Sequence, residues 1–307
     1  MPGCLSVGQG TARALAAALG KRLVGVHHMQ AHALTPLLTS AAAPEFPFLI
    51  LLLSGGHTQL VLAKGLFKFK ILLDTLDSKI GDVFEKSARL LALPSGPKAP
   101  GAILEHYASL PALPPYDTHP LPASQLIPIP LTTLHAKNTL AWSFAGMLAA
   151  LQRAVHDRRQ RQPAWDEPDR RAFANLVQTA LTTHLLTKLA QRIALLPPDT
   201  RAQLSGIVVS GGVASNAYIR SQLDRLVKTE NGLFPPAGKN LYYPPLHLCT
   251  DNAAMIAHTA LIRLQTGLRS DPDDLKLRAK WSLEDMYDDV PEEAYMVKGA
   301  KEVGMGL

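Results

Sequence analysis

The sequence predicts an α/β protein of about two domains, and three observations carry that reading. Short apolar runs alternate with helical patterns along its 307 residues. Two of those runs, Leu49 to Ser54 and Gly206 to Ser210, are each followed by paired glycines. A hydrophobic content of 47% over this length can bury a large core.

In chain order, Leu5 to Leu19 reads as an Ala-rich helix, Leu23 to Val26 as a buried strand and His28 to Leu38 as a second helix. Leu49 to Ser54, Gln59 to Ala63 and Phe69 to Leu73 read as a meander, with a helix following from about Ile80 to Leu91. Pro and Gly punctuate Pro94 to Gly101, and Pro111 to Pro130 is a Pro-rich loop. A mostly helical block runs from Asn138 to Leu196, interrupted by the polar stretch Asp157 to Asp169. The strand Gly206 to Ser210 then feeds a helix opening near Ser215, and Ala253 to Leu264 forms a last apolar helix.

Charge and cysteine content narrow the partners. Lys plus Arg less Asp plus Glu is 31 − 25 = +6, with a pI near 9.3, a balance that tolerates a polyanion. Cys4 and Cys249 are too few for a disulfide framework and too far apart for a zinc knuckle, which fits a reducing compartment. The longest apolar stretch, Phe46 to Leu53, contains Pro47 and falls far short of the roughly 20 residues of a membrane helix. Residues 1 to 44 carry Arg13, Lys21 and Arg22 but no acid, as a transit peptide would; their strand and helix patterns favour folded domain instead.

Three motifs carry chemistry. His28 and His32 lie four apart, on one face of a helix, where two imidazoles can share a divalent ion or simply pack. Ser54-Gly55-Gly56 and Ser210-Gly211-Gly212 end apolar strands in turns whose backbone N–H groups no side chain shields, and the second feeds a helix N-terminus. Asp251, before the last helix, is either a helix cap, as Thr250 could be, or a carboxylate completing a His-His-Asp metal site. Residue type alone does not choose. Arg153, Arg158, Arg159, Arg161, Arg170 and Arg171 cluster around the helical interruption, as a solvated face or as a patch that contacts phosphates.

HHMQAHALTPLL, FPFLILLLSGGHTQL, the stretch Asp77 to Leu91, SGGVASNAYIR and CTDNAAMIA together resemble the TsaD family, also called Gcp or O-sialoglycoprotein endopeptidase-like proteins, from Met1 to about Trp281. That resemblance implies the actin-like (ASKHA) two-lobed ATPase fold. It implies transfer of a threonylcarbamoyl group from threonylcarbamoyl-AMP to the adenosine next to the anticodon of tRNAs reading ANN codons. SGGHTQ and HHMxxH are similar to the bacterial and mitochondrial branch, and a mitochondrial location is expected, with the cytoplasm as the alternative.

Carried over by position, the resemblance makes His28, His32 and Asp251 ligands of one divalent ion per chain, iron or zinc. It assigns Leu52, Leu53, Ser54, Gly55 and Gly56 to the phosphate and acyl part of the intermediate, Glu85 to ribose, Gly101 to the adenosine and Asn216 to the nucleotide. No catalytic base is implied. Partners are tRNA and threonylcarbamoyl-AMP, with a homodimer or other threonylcarbamoylation proteins beyond them.

Departures bear on activity. Glu85 stands where relatives carry Asp, Gln30 where they often carry Glu, and Trp142 to Leu148 lacks a Lys of the corresponding segment. Met1 falls within what resembles the family's Gly-Pro-Gly loop, so the chain is expected to be N-terminally truncated and its first lobe incomplete. Residues 1–46 are the expected remnant of the first lobe, with the metal histidines. Residues 47–250 form the second lobe with a helical insertion, and 251–307 return to the first lobe and add a tail. The competing readings are a non-catalytic paralogue acting as a binding or scaffold protein, and a metalloprotease, against which stands the absence of a His-Glu-x-x-His motif.

Overall fold

A computed structural model describes residues 2–39, 43–111, 113, 140–161, 164–229, 234–235, 240–266 and 281–286. Apart from residues 111 and 113, the expected Pro-rich loop Pro111 to Pro130 lies outside them, as does the tail from 287 onward.

Phe48–Leu53 (β1), Thr58–Gly65 (β2) and Lys68–Leu73 (β3) form the expected meander, and Ile207–Ser210 (β4) joins it by pairing parallel to β1. With Leu241–Tyr242 (β5) the five-stranded sheet runs β3-β2-β1-β4-β5. Every residue of β1 is buried, because helices cover both faces of this central strand. That is why its sequence is a continuous apolar run rather than an alternating one.

Alternation along the strands sorts the core into two layers. Phe48, Ile50, Leu52 and Val208 face His28–Thr39 (α2), where Met29, Ala33 and Leu34 meet them. Leu49, Leu51, Leu53, Ile207 and Val209 face the other way. There they pack with Ile80–Leu90 (α3), Pro100–Ser109 (α4), Ala145–Arg161 (α5), Glu167–Ala194 (α6) and, past the short Pro198–Ala202 (α7), Ala217–Thr229 (α8). Ala253–Gln265 (α9) lies against α2. Pro2–Ala18 (α1) presents Leu5, Val7 and Leu15 to solvent. No helix among the described residues is long and apolar enough to cross a membrane.

Two expectations fail. Residues 21–27 form no strand: the Gly25 carbonyl is taken by the Arg263 guanidinium on α9, and no described strand lies alongside them. The break in the helical block is shorter than expected, since α5 continues through Asp157 to Arg161 and α6 starts at Glu167. Asp166 and Asp169 form a capping box at that start, each accepting the other's backbone N–H. A polar stretch that looked like a loop is therefore a helix end followed by a cap.

The C-terminal residues 281–286 lie across the α2 face of the sheet. Leu283 and Met286 join its core, the Trp281 carbonyl meets His27 Nε2 at 3.0 Å, and the backbone N–H of Ile71 on β3 donates to Glu284 Oε1 at 2.7 Å.

On the opposite face, Asp77 holds the start of α5. Its carboxylate accepts from the N–H groups of Phe144 and Ala145 and from the Ser143 hydroxyl. The Ser143 N–H donates to His184 Nε2 at 3.3 Å, which requires a neutral ring. Burial, and secondarily Lys188, lowers the His184 pKa from 6.5 to about 4, against an opposing pull from Asp77. The folded protein thus binds this proton less readily than the unfolded chain, so the stabilisation is complete above pH 6.5 and is lost as pH falls from there towards 4. We expect a loss on the order of 3 kcal/mol across that window, absent in His184→Gln. Urea unfolding at stepped pH measures it, and an equal slope in the variant would refute it.

Candidate metal centre and its flanking glycine loops

Asp251 is not a helix cap. Asn252 caps α9, its side-chain oxygen accepting from Met255 N–H at 2.9 Å, and the Asp251 carboxylate is left to the histidines. Its Oδ1 lies 3.0 Å from His32 Nε2 and 3.2 Å from His28 Nε2, although the residues are more than 200 apart in sequence. Among the described residues, His28, His32 and Asp251 bring one ligand atom each within 4.8 Å of one another. Ligand atoms on a small tetrahedral ion stand about 3.3 Å apart. The carboxylate-to-imidazole spacings meet that requirement, and two imidazoles with one carboxylate form a donor set suited to zinc or ferrous iron.

Helix α2 sets this geometry. Its apolar side is packed into the sheet, which fixes the helix and leaves His28 half exposed above the buried His32. Burial, then the charge of His28, keeps His32 below its ordinary pKa, and Asp251 opposes both. A neutral imidazole is the form that ligates a metal. His32 Nδ1 is buried without a hydrogen-bond partner, so the support that usually orients a ligating ring is missing on that side.

The two glycine turns flank this cluster. Leu52 on β1 pairs with Ser210 on β4, so both strands end at the same level. Gly211 adopts φ +100°, and a Cβ there would collide with the Leu53 carbonyl. A Cβ on Gly212 would stand 4.0 Å from the Thr250 methyl, next to Asp251. In the first turn, Ser54 Oγ accepts from Gly56 N–H at 3.2 Å and from His57 N–H at 2.9 Å. Of the turn's N–H groups, that of Gly56 is thus paired with Ser54 Oγ in this structure.

The other expected nucleotide residues lie on α3, on α4 and at the start of α8. Asn216 is buried at the start of α8, accepting from Ile219 N–H at 2.9 Å and donating to Gln178 at 3.3 Å. Gly101, on the first turn of α4, lies against Phe84, and Glu105 one turn on accepts from Ala217 N–H beside Asn216. Glu85 on α3 pairs with Arg89 at 3.2 Å along the helix surface. The arginine cluster is also divided: Arg158 pairs with the buried Asp169 at 2.8 Å, Arg171 with Glu167 at 3.0 Å, and Arg159 lies over the Trp165 ring.

Sequence reading passed over Gly81 and His57. A Cβ on Gly81 would come within 2.7 Å of Gly55 N and of the Ser54 carbonyl, so α3 rests directly on the first glycine turn. A glycine inside a helical pattern was the available signal. His57 is held below its ordinary pKa by burial, then by His28 and Lys79, with Asp74 opposing and His32 adding a smaller effect. Its charge is therefore felt by both the metal residues and Lys79, the residue before α3.

The sequence profile of the tRNA N6-adenosine threonylcarbamoyltransferase (TsaD) family matches residues 1–258. The chain belongs to this family. A Variovorax paradoxus protein of that name is 40% identical over 268 residues, covering 87% of this chain and 67% of its own length. A Bordetella pertussis protein of the same name is 35% identical over 291 residues, 93% of this chain and 75% of the relative. One from Polaromonas is 40% identical over 291 residues, 92% and 73% respectively. The TsaD family has the actin-like fold, in keeping with the mixed sheet and its helical layers.

Proposed function

We propose that this protein transfers a threonylcarbamoyl group from threonylcarbamoyl-AMP to the N6 amine of the adenosine next to the anticodon in tRNAs reading ANN codons. Family membership supports the reaction, and one observation supports its location: His28, His32 and Asp251 converge beside the ends of β1 and β4, the two strands that carry the glycine turns. His28 Nε2, His32 Nε2 and an Asp251 carboxylate oxygen would hold a divalent ion, iron or zinc, which supplies Lewis acidity toward a carbonyl or phosphoryl oxygen.

The transfer forms a bond from the adenosine amine to the carbamoyl carbon, breaks the bond from that carbon to the phosphate oxygen, and releases AMP and a proton. The chain's part is to position the reactants. Gly55 and Gly56 leave backbone room for the adenylate beside the first turn, and Gly101 and Asn216 lie where α4 meets the start of α8. Arg153, midway along α5, and Arg161, at its end, are exposed and are the cluster's arginines best placed for tRNA phosphate.

The test is complementation. In a strain lacking its own enzyme, expression of this chain should restore the modified adenosine in ANN-reading tRNAs, measured by nucleoside mass spectrometry. Unmodified tRNA despite soluble expression would refute the reading.

A further inference from the structure

Lys79 is the residue before α3, whose first turn lies on the Ser54–Gly56 turn through Gly81. The Ile80 N–H donates to Thr58 Oγ1 at 2.9 Å, which ties this end of α3 to the residues just after the same turn. Lys79 therefore sits at the end of α3 that rests on this turn, and His57 directly follows the turn in the chain.

Its ion pair leaves the lysine available. Lys79 Nζ stands 3.8 Å from Asp74 Oδ1, too long for a hydrogen bond. Closer donors already serve both Asp74 oxygens: Thr75 N–H at 2.7 Å on Oδ1 and Gln59 Nε2 at 2.8 Å on Oδ2. An ammonium has three donors. The Lys79 side chain is 31% exposed, so it is partly desolvated yet open to a ligand. A cation at this end of α3 complements an anion held beside the first glycine turn.

We propose that Lys79 is a substrate-binding residue whose ammonium group receives an anionic oxygen of the acyl-adenylate beside the Ser54–Gly56 turn. The proposal rests on the transferase reading for the identity of the ligand. Two groups of that ligand offer the same chemistry, the phosphate and the threonyl carboxylate.

The experiment is calorimetric binding of AMP and of threonylcarbamoyl-AMP to the full 307-residue chain and to its Lys79→Met and Lys79→Arg variants, at low and high salt. We expect Lys79→Met to weaken threonylcarbamoyl-AMP about tenfold or more, to flatten the salt dependence, and Lys79→Arg to recover most of the affinity. If AMP weakens in parallel, the phosphate is the group held; if AMP is unaffected, it is the carboxylate. Unchanged affinity of both ligands in Lys79→Met overturns the proposal, as does failure of the wild type to bind either. A wild type that binds in a Lys79-dependent way but modifies no tRNA refutes the transferase reading and leaves this one standing.

Discussion

Purified protein is expected to carry about one iron or zinc per chain, and His32→Ala to leave almost none. His32 is the buried member of the trio, fixed by a helix packed into the sheet, whereas His28 and Asp251 are more exposed. Removing it takes away the one buried donor of the three, and metal affinity should fall by more than about 100-fold. Asp251→Ala should follow, because its carboxylate oxygen is the atom both imidazoles face. Metal analysis of wild type and both variants decides the matter, with circular dichroism as the check on folding. Equal metal content in all three would eliminate the site.

Arg158→Ala should be strongly destabilising. Arg158 makes two contacts to Asp169, Nε to Oδ1 at 2.8 Å and Nη2 to Oδ2 at 2.9 Å, and Asp169 is fully buried. Deleting the arginine strands a carboxylate that also belongs to the capping box of α6. The expected cost is about 3–5 kcal/mol. Burial already pushes the Asp169 pKa up, so the variant's deficit should shrink in acid, where the carboxyl is neutral. Urea unfolding of both proteins at neutral and mildly acidic pH measures this. A deficit under about 1 kcal/mol would mean that Asp169 is solvated in place of its partner.

What could be read without coordinates follows from the range of the interaction involved. The meander, α2, α3 and β4 were legible because a buried face imposes a period on the chain, and that period is local. His28 and His32 were legible as a pair for the same reason, since helical spacing alone puts them together. The role of Asp251 was not, because Thr250, Asp251 and Asn252 can all cap a helix and only the fold shows that Asn252 does so. Residues 21–27 misled because apolar content marks burial, while strand formation needs a neighbour to pair with. Arg158 misled for the opposite reason: it is charged in sequence but largely buried in space, and its partner Asp169 lies across a loop. Gly81 was overlooked because its constraint comes from a backbone some 25 residues away.

The contact between Glu284 and Ile71 has a bearing on how copies of this protein keep apart. β3 is a border strand of the sheet, and a border strand offers its outward N–H groups to any extended peptide, another molecule of the same chain included. A carboxylate seated on the Ile71 amide fills one such donor and sets a negative charge where an incoming strand would have to lie. Residues 281–286 therefore act as a guard against fibre-like stacking as well as a cover for the core, and a shortened chain lacking them would be inclined to self-associate through β3.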